Sequence, residues 1–177
     1  MHTLIPMLDE KLDASIVIVQ HMPKGFTYSL AERLNESSRI AVSEVIDGER
    51  LQKGHVYLAK GGKHLELVQD TCGDLIFKEN DREPINGLRP CANITYKSLI
   101  HVSMDLILCV VLTGMGADGF EGISELKSKQ NIYTIAQDKE TSVIYGMPKV
   151  IVDHGLADEV LPLDKISDGI KRIVGVR

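Results

Sequence analysis

The stretch Asp105-Leu106-Ile107-Leu108-Cys109-Val110-Val111-Leu112-Thr113-Gly114-Met115-Gly116-Ala117-Asp118-Gly119 decides how the chain is read. Leu106 to Leu112 is a continuous apolar run, too short to span a membrane and rich in β-branched residues. That pattern predicts a strand buried on both faces of a parallel sheet. It stops in a turn holding Gly114, Gly116 and Gly119, with Asp118 inside it. In open α/β sheets ligands bind beyond the carboxyl ends of the strands. Asp118 is therefore a candidate catalytic carboxylate. Taken alone, the same turn better suits an Asp that caps the following helix, since glycine-rich strand-to-helix turns are common.

Composition narrows the classes. A chain of 177 residues, 44% hydrophobic and 25% charged, suits one soluble domain with a sizeable core. The net charge of -5 gives no basic surface for nucleic acid, and aromatics at 5% with no Trp argue against a base-stacking platform. No apolar run reaches transmembrane length, and the first residues lack a signal-peptide pattern. Cys72, Cys91 and Cys109 are an odd count without metal-ligand spacing. Neither a metal nor a cofactor is expected. These features favour the cytoplasm.

Outward from the central stretch, strands and helices alternate. Leu4, Met7, Leu8 and Leu12 have helical spacing, with Pro6 tolerable in a first turn. Ser15 to Gln20 reads as a buried strand, followed by His21 and a helix from Thr27, its expected N-cap, to Asn35. Runs at 40–46, 55–59, 64–68 and 74–78, separated by Asp47-Gly48, Gly61-Gly62 and Cys72-Gly73, predict an inserted antiparallel hairpin element. His55 and His64 within it are expected at the surface. A polar loop at 79–90 delivers Arg89 to a helix over 91–102. After the central turn come a helix over 120–129 with Asn131 as its left-handed cap, and a strand over 131–136. Then come a short helix opening at Pro148, a last strand at 159–161 and a helix capped by Asp164. The expected fold class is α/β: a doubly wound, mostly parallel sheet flanked by helices, with an inserted antiparallel hairpin.

Three strand ends then point the same way, carrying His21, Asp118 and the loop from Gln137 to Ser142. An imidazole is the usual base near neutral pH, and a carboxylate can hold its tautomer. Gly114 and Gly116 around Met115 leave backbone N–H groups free to face an oxyanion. What the pair lacks is a nucleophile. No Gly-x-Ser-x-Gly elbow is present. Ser142 lies on a strand-end loop without glycine neighbours, Ser124 falls in a helical pattern, and nothing near Cys91 in sequence suggests a lowered pKa.

At these residues the chain resembles a known family. The stretch from Gln20 to Thr27, the stretch from Leu112 to Gly119, Ala136-Gln137-Asp138 and Gly146-Met147-Pro148 are similar to the catalytic domain of CheB, the chemotaxis protein-glutamate methylesterases. Gly61 to Leu67 and Arg89-Pro90 fit as well, so the resemblance covers essentially the whole chain. It implies hydrolysis of γ-glutamyl methyl esters on the cytoplasmic helices of chemoreceptors, releasing methanol, with receptor-glutamine deamidation in some members. By position His21 matches the catalytic His, Asp118 the catalytic Asp and Met115 the methionine beside the oxyanion. The family's nucleophile is a serine in a Gly-Ala-Ser-Thr-Gly-Gly turn upstream of the opening helix. Residues 1–177 are accordingly expected to be a single methylesterase domain lacking that segment and a receiver domain. Where the family has Ser-x-Asp after Arg-Pro, this chain has Cys91 and Asn93.

Three functions compete at this stage. The first is the methylesterase, whose partners are chemoreceptor helices and a receiver domain on another chain. The second is an inactive module that binds receptor helices or another chemotaxis protein. The third, a phosphate-binding domain using the glycine turn, is disfavoured because Asp118 repels a phosphate and no Gly-Lys-Ser/Thr is present.

Overall fold

Strands and helices alternate through the computed structural model, which describes residues 1–176. β1 (Ser15–Ile18), β2 (Ala41–Glu44) and β3 (His55–Leu58) form a parallel sheet in the order β1-β3-β2. β4 (His64–Gln69) and β5 (Leu75–Asn80) form an antiparallel hairpin. β6 (Ile107–Val111), β7 (Ile132–Gln137) and β8 (Glu159–Leu161) form a second parallel sheet in chain order. The helices are α1 (Phe26–Ser37), α2 (Ala92–Ser98), α3 (Phe120–Lys127), α4 (Met147–Asp153) and α5 (Leu163–Val174).

Both sheets feed the same two cores, because alternate residues of a buried strand point to opposite faces. Tyr57 of β3 and Cys109 and Val111 of β6 pack on one face with Ile123 and Leu126 of α3 and Phe77 of the hairpin. Val56 and Leu58 of β3 and Ile135 of β7 pack on the other with Ala31 and Leu34 of α1 and Ile166 and Ile170 of α5. The result is a doubly wound α/β layer, continuous in its packing though not in its ladder. β1 is hydrogen-bonded only to β3, and β6 only to β7, among the described residues. No ladder joins β1 to β6 among the described residues.

Several expectations are corrected. The antiparallel element is narrower than predicted. The runs around Val42 and Val56 join the parallel sheet, with Ala41 and Ser15 both in register with His55. His64 is wholly buried rather than at the surface, its Nε2 hydrogen-bonded to the Glu83 carbonyl at 3.1 Å, and His55 is half-buried and stacked on Tyr57. Residues of the loop after β5 cover that part of β4: Glu83 accepts from His64 and Arg82 pairs with Glu66. The opening segment is a single 3₁₀ turn (Ile5–Met7), with Leu4, Ile5, Leu8 and Leu12 buried. Thr27 does not cap α1, because left-handed Gly25 precedes the helix. Its hydroxyl donates instead to Glu44 at 2.6 Å and accepts the Gly61 N–H. Asn131 is not left-handed but bonds the Asp105 carbonyl, and Asp164 lies inside the first turn of α5 after Pro162.

Candidate active site

The site forms where β1, β6 and β7 end. Ala59 beyond β3 hydrogen-bonds the Ile18 carbonyl, and the chain then turns through His21 to Gly25. Gly61 seats that turn: a Cβ there would collide with the Pro23 carbonyl oxygen and lie 2.7 Å from that of Met22. From this turn the His21 Nε2 lies 2.6 Å from Asp118 Oδ2. The two residues are 97 positions apart and come from loops that follow β1 and β6. A carboxylate only accepts, so Nε2 carries the proton and Nδ1 of the neutral ring is left as an acceptor.

Asp118 is closely held. Its side chain is 4% exposed. Oδ2 also accepts the Ala92 N–H at 2.6 Å, and Oδ1 accepts the Asn93 N–H at 3.0 Å and the Cys91 thiol at 3.1 Å. Burial alone would push this carboxyl up. The hydrogen bonds from His21, Cys91, Ala92 and Asn93 outweigh burial and bring it down to about 2. Cys91 moves the other way. Burial, then its bond to Asp118 and the charge there, push the thiol up to about 11. Cys91 is thus a neutral donor to Asp118, not an activated nucleophile.

The glycine turn after β6 is braced from β7. Gln137 is fully buried; its Oε1 accepts the Thr113 N–H at 2.8 Å and its Nε2 donates to the Thr141 carbonyl at 2.8 Å. The Gly114 N–H bonds the Ile144 carbonyl, and the Gly114 carbonyl accepts the N–H groups of Gly146 and Met147. At Gly114 a Cβ would lie 2.5 Å from Met147 Sδ. Met115 at the tip is 80% exposed. A cleft of about 540 Å³ opens beside this turn, lined in part by Gln20, Met22, Phe26, Leu112, Thr113 and Gln137.

The structure thus brings His21, Asp118 and the turn from Gly114 to Gly116 to one edge. It does not bring a hydroxyl to His21. Among the described residues no serine or threonine hydrogen-bonds the imidazole, and the Ser142 hydroxyl is donated to the Asp138 carbonyl at 2.6 Å. Sequence reasoning missed Cys91, Ala92 and Asn93 as the cradle of Asp118, and Gln137 as the brace. The one local signal was a small polar-capable segment after Pro90 at a helix start. Among the described residues no cluster of His, Cys, Asp and Glu could hold a metal ion, and no helix is long and apolar enough to cross a membrane.

Comparison with known proteins gives the family and the fold. A family model described as CheB methylesterase matches residues 1–170. A protein-glutamate methylesterase/protein-glutamine glutaminase of Symbiobacterium thermophilum is 43% identical over 175 residues, 99% of this chain and 47% of that protein. One from Geobacillus kaustophilus is 40% identical over 175 residues, 99% of this chain and 50% of that protein. The chain therefore spans about half the length of the curated relatives it matches. The crystal structure of the Thermotoga maritima CheB methylesterase catalytic domain superposes with a TM-score of 0.92 at 40% identity, covering 98% of this chain and 90% of that one. On the family model, the relatives and the fold together, the chain belongs to the CheB methylesterase family.

Proposed function

We propose that this chain supplies the base, its orienting carboxylate and the oxyanion turn of a protein-glutamate methylesterase. The substrate is a γ-glutamyl methyl ester on the cytoplasmic helices of a chemoreceptor. The observation that carries the reading is the 2.6 Å contact of His21 Nε2 with Asp118 Oδ2 beside the cleft. The nucleophile in this reading is a serine on an extended segment that pairs with the edges of β1 and β6. Among the described residues β1 and β6 are each laddered on one edge alone, and no hydroxyl hydrogen-bonds His21.

The chemistry follows from the geometry. The serine oxygen attacks the ester carbonyl while His21 Nδ1 takes its proton. Asp118 keeps the imidazole in the Nε2-H tautomer and stabilises the imidazolium. The N–H groups of Met115 and Gly116, which make no hydrogen bond among the described residues, face the developing oxyanion. The imidazolium returns its proton to the departing methoxide, giving methanol. Water, activated by the same nitrogen, then cleaves the acyl-enzyme to free the γ-carboxylate and the serine hydroxyl. A glutamine side chain would follow the same course with ammonia leaving. Residues 1–177 in this reading are one methylesterase domain without its serine strand, working in the cytoplasm, with any receiver domain outside this stretch.

Methanol release from a methylated receptor fragment tests the proposal. Residues 1–177 alone should release none, and a version extended upstream by a serine-bearing strand should release it and melt at higher temperature. In the extended version His21→Ala and Asp118→Asn should each cost orders of magnitude in rate. Near-normal hydrolysis by the His21→Ala variant would refute the assignment. Tight receptor-fragment binding by an extended protein without methanol release would favour the binding module instead.

A further inference from the structure

We propose that Asn93 is the positioning residue that fixes Asp118 against His21, through a reciprocal clasp between the starts of α2 and α3. The inference rests on the reading of His21 and Asp118 as base and orienter, and names what holds that pair in register.

Each helix start is capped by the other's side chain. Helix starts leave backbone N–H groups without an intrahelical partner. At α2, Cys91 occupies the cap position without a side-chain cap, and the N–H groups of Ala92 and Asn93 are taken by the two Asp118 oxygens. At α3 the cap position is Gly119, which has no side chain to offer, and φ is +96 there. Asn93 Oδ1 serves in its place. It accepts the Gly119 N–H at 3.1 Å and the Gly122 N–H at 2.8 Å. Backbone of Asn93 holds the side chain of Asp118, and the side chain of Asn93 holds the backbone just after Asp118. The ring is closed.

The space around it is tight. A Cβ on Gly122 would lie 2.7 Å from Tyr96 Cβ and 3.1 Å from Asn93 Cα, so α2 and α3 are in close contact at the clasp. Removing the Asn93 oxygen leaves two N–H groups without a partner on the residues that anchor the Asp118 turn. Asp118 would stay tied to α2 by Ala92 and Asn93 amides while its turn relaxes. The bond most exposed to that relaxation is the one to His21, which comes from a separate loop. Small displacements of an orienting group cost a large share of its effect.

The test reads the His21–Asp118 bond directly. An imidazole proton held at 2.6 Å by a buried carboxylate gives a downfield proton resonance with slow solvent exchange. That resonance is recorded for the wild-type chain, Asp118→Asn, Asn93→Ala and Asn93→Asp, with a thermal melt of each. The expected result is a resonance in the wild type, none in Asp118→Asn, exchange at least about tenfold faster in Asn93→Ala, and near-wild-type exchange in Asn93→Asp, which keeps the accepting oxygen. A folded Asn93→Ala variant with wild-type exchange overturns the inference, as does a folded Asn93→Asp variant that loses the signal. Should Asn93→Ala not fold, Asn93→Gln decides, because it moves the oxygen by one methylene; wild-type exchange in that folded variant overturns the clasp. A wild-type chain without the resonance, or a signal that survives in Asp118→Asn, instead breaks the His21–Asp118 reading itself.

Discussion

Ionisation of Asp118 should be visible as acid sensitivity of the fold. Its carboxyl lies at about 2 in the folded chain against an ordinary value of 3.8. Each pKa unit is worth about 1.4 kcal/mol, so the ionised form contributes about 2 kcal/mol to folding. With a side chain 4% exposed, solvent screening takes little from that figure. The sign follows from linkage. The folded state binds this proton less readily than the unfolded chain, so the contribution is fully present above 3.8 and is lost as pH falls through about 2. The perturbation is Asp118→Asn, which cannot ionise and sets an amide donor against two of the four groups that now donate to the carboxylate. The assay is urea unfolding of both proteins at intervals from about pH 6 to about pH 2, read as the difference between the two stabilities. Every other carboxylate titrates in both chains and cancels. The difference should be level down to about pH 4 and then fall by about 2 kcal/mol, most of it gone by about pH 2. Parallel curves across that range, or a difference that widens in acid, would refute the account of Asp118 as a carboxylate stabilised by its four donors.

The other predictions concern packing and thiols. Gly61→Ala should destabilise the fold by about 1–3 kcal/mol and weaken the His21–Asp118 bond, because the new methyl meets backbone oxygens of Met22 and Pro23 that cannot rotate away; an unchanged urea midpoint and an unchanged His21 proton signal would contradict it. Of the 3 cysteines, only exposed Cys72 should react quickly with a thiol reagent at about pH 8, since Cys91 and Cys109 are buried and pushed up to about 11 and about 12; all three should react after denaturation, and rapid modification of Cys91 in the native chain would overturn its role as a neutral donor.

The parts of the fold legible in sequence are those whose signal is local. The apolar runs at 15–20 and 106–112 became β1 and β6, but burial on both faces is not what is found: Ser15, Ile16 and Val17 of β1 and Leu108 and Val110 of β6 are only half-buried. The last strand was bounded by turn chemistry and fell at Glu159–Leu161 as expected. Pairing was less legible. The runs containing Val42 and Val56 are short and flanked by turn signals, which suits a hairpin as well as a crossover, and only the packing of α1 against them selects the parallel arrangement. His64 was misread for a related reason. Alternation along β4 marks one face as polar, but it cannot say that a loop from later in the chain will cover that face and bury the imidazole.

The same distinction explains how far the site could be read. His21 and Asp118 each stand just past an apolar parallel strand, so the rule that parallel strands end at one edge brings two distant residues together without any knowledge of their contact. Nothing comparable points from Asp118 to residues 91–93. Their amides act because α2 begins there, and which carboxylate receives an amide depends on the docking of two helices 20-odd residues apart, a tertiary fact. Gln137 is a parallel case: as a polar residue closing a buried strand it looked like part of an exposed loop, yet it is wholly buried because Thr113 and Thr141 satisfy both ends of its amide. Burying such an amide is tolerable only when it is hydrogen-bonded at both ends. Its partners lie on the β6 turn and on its own loop, so the group that braces the glycine turn is recognisable only once those loops are in place. The proposed base and its carboxylate are therefore readable from strand ends, while the residues that hold them in place are set by how one loop closes on another.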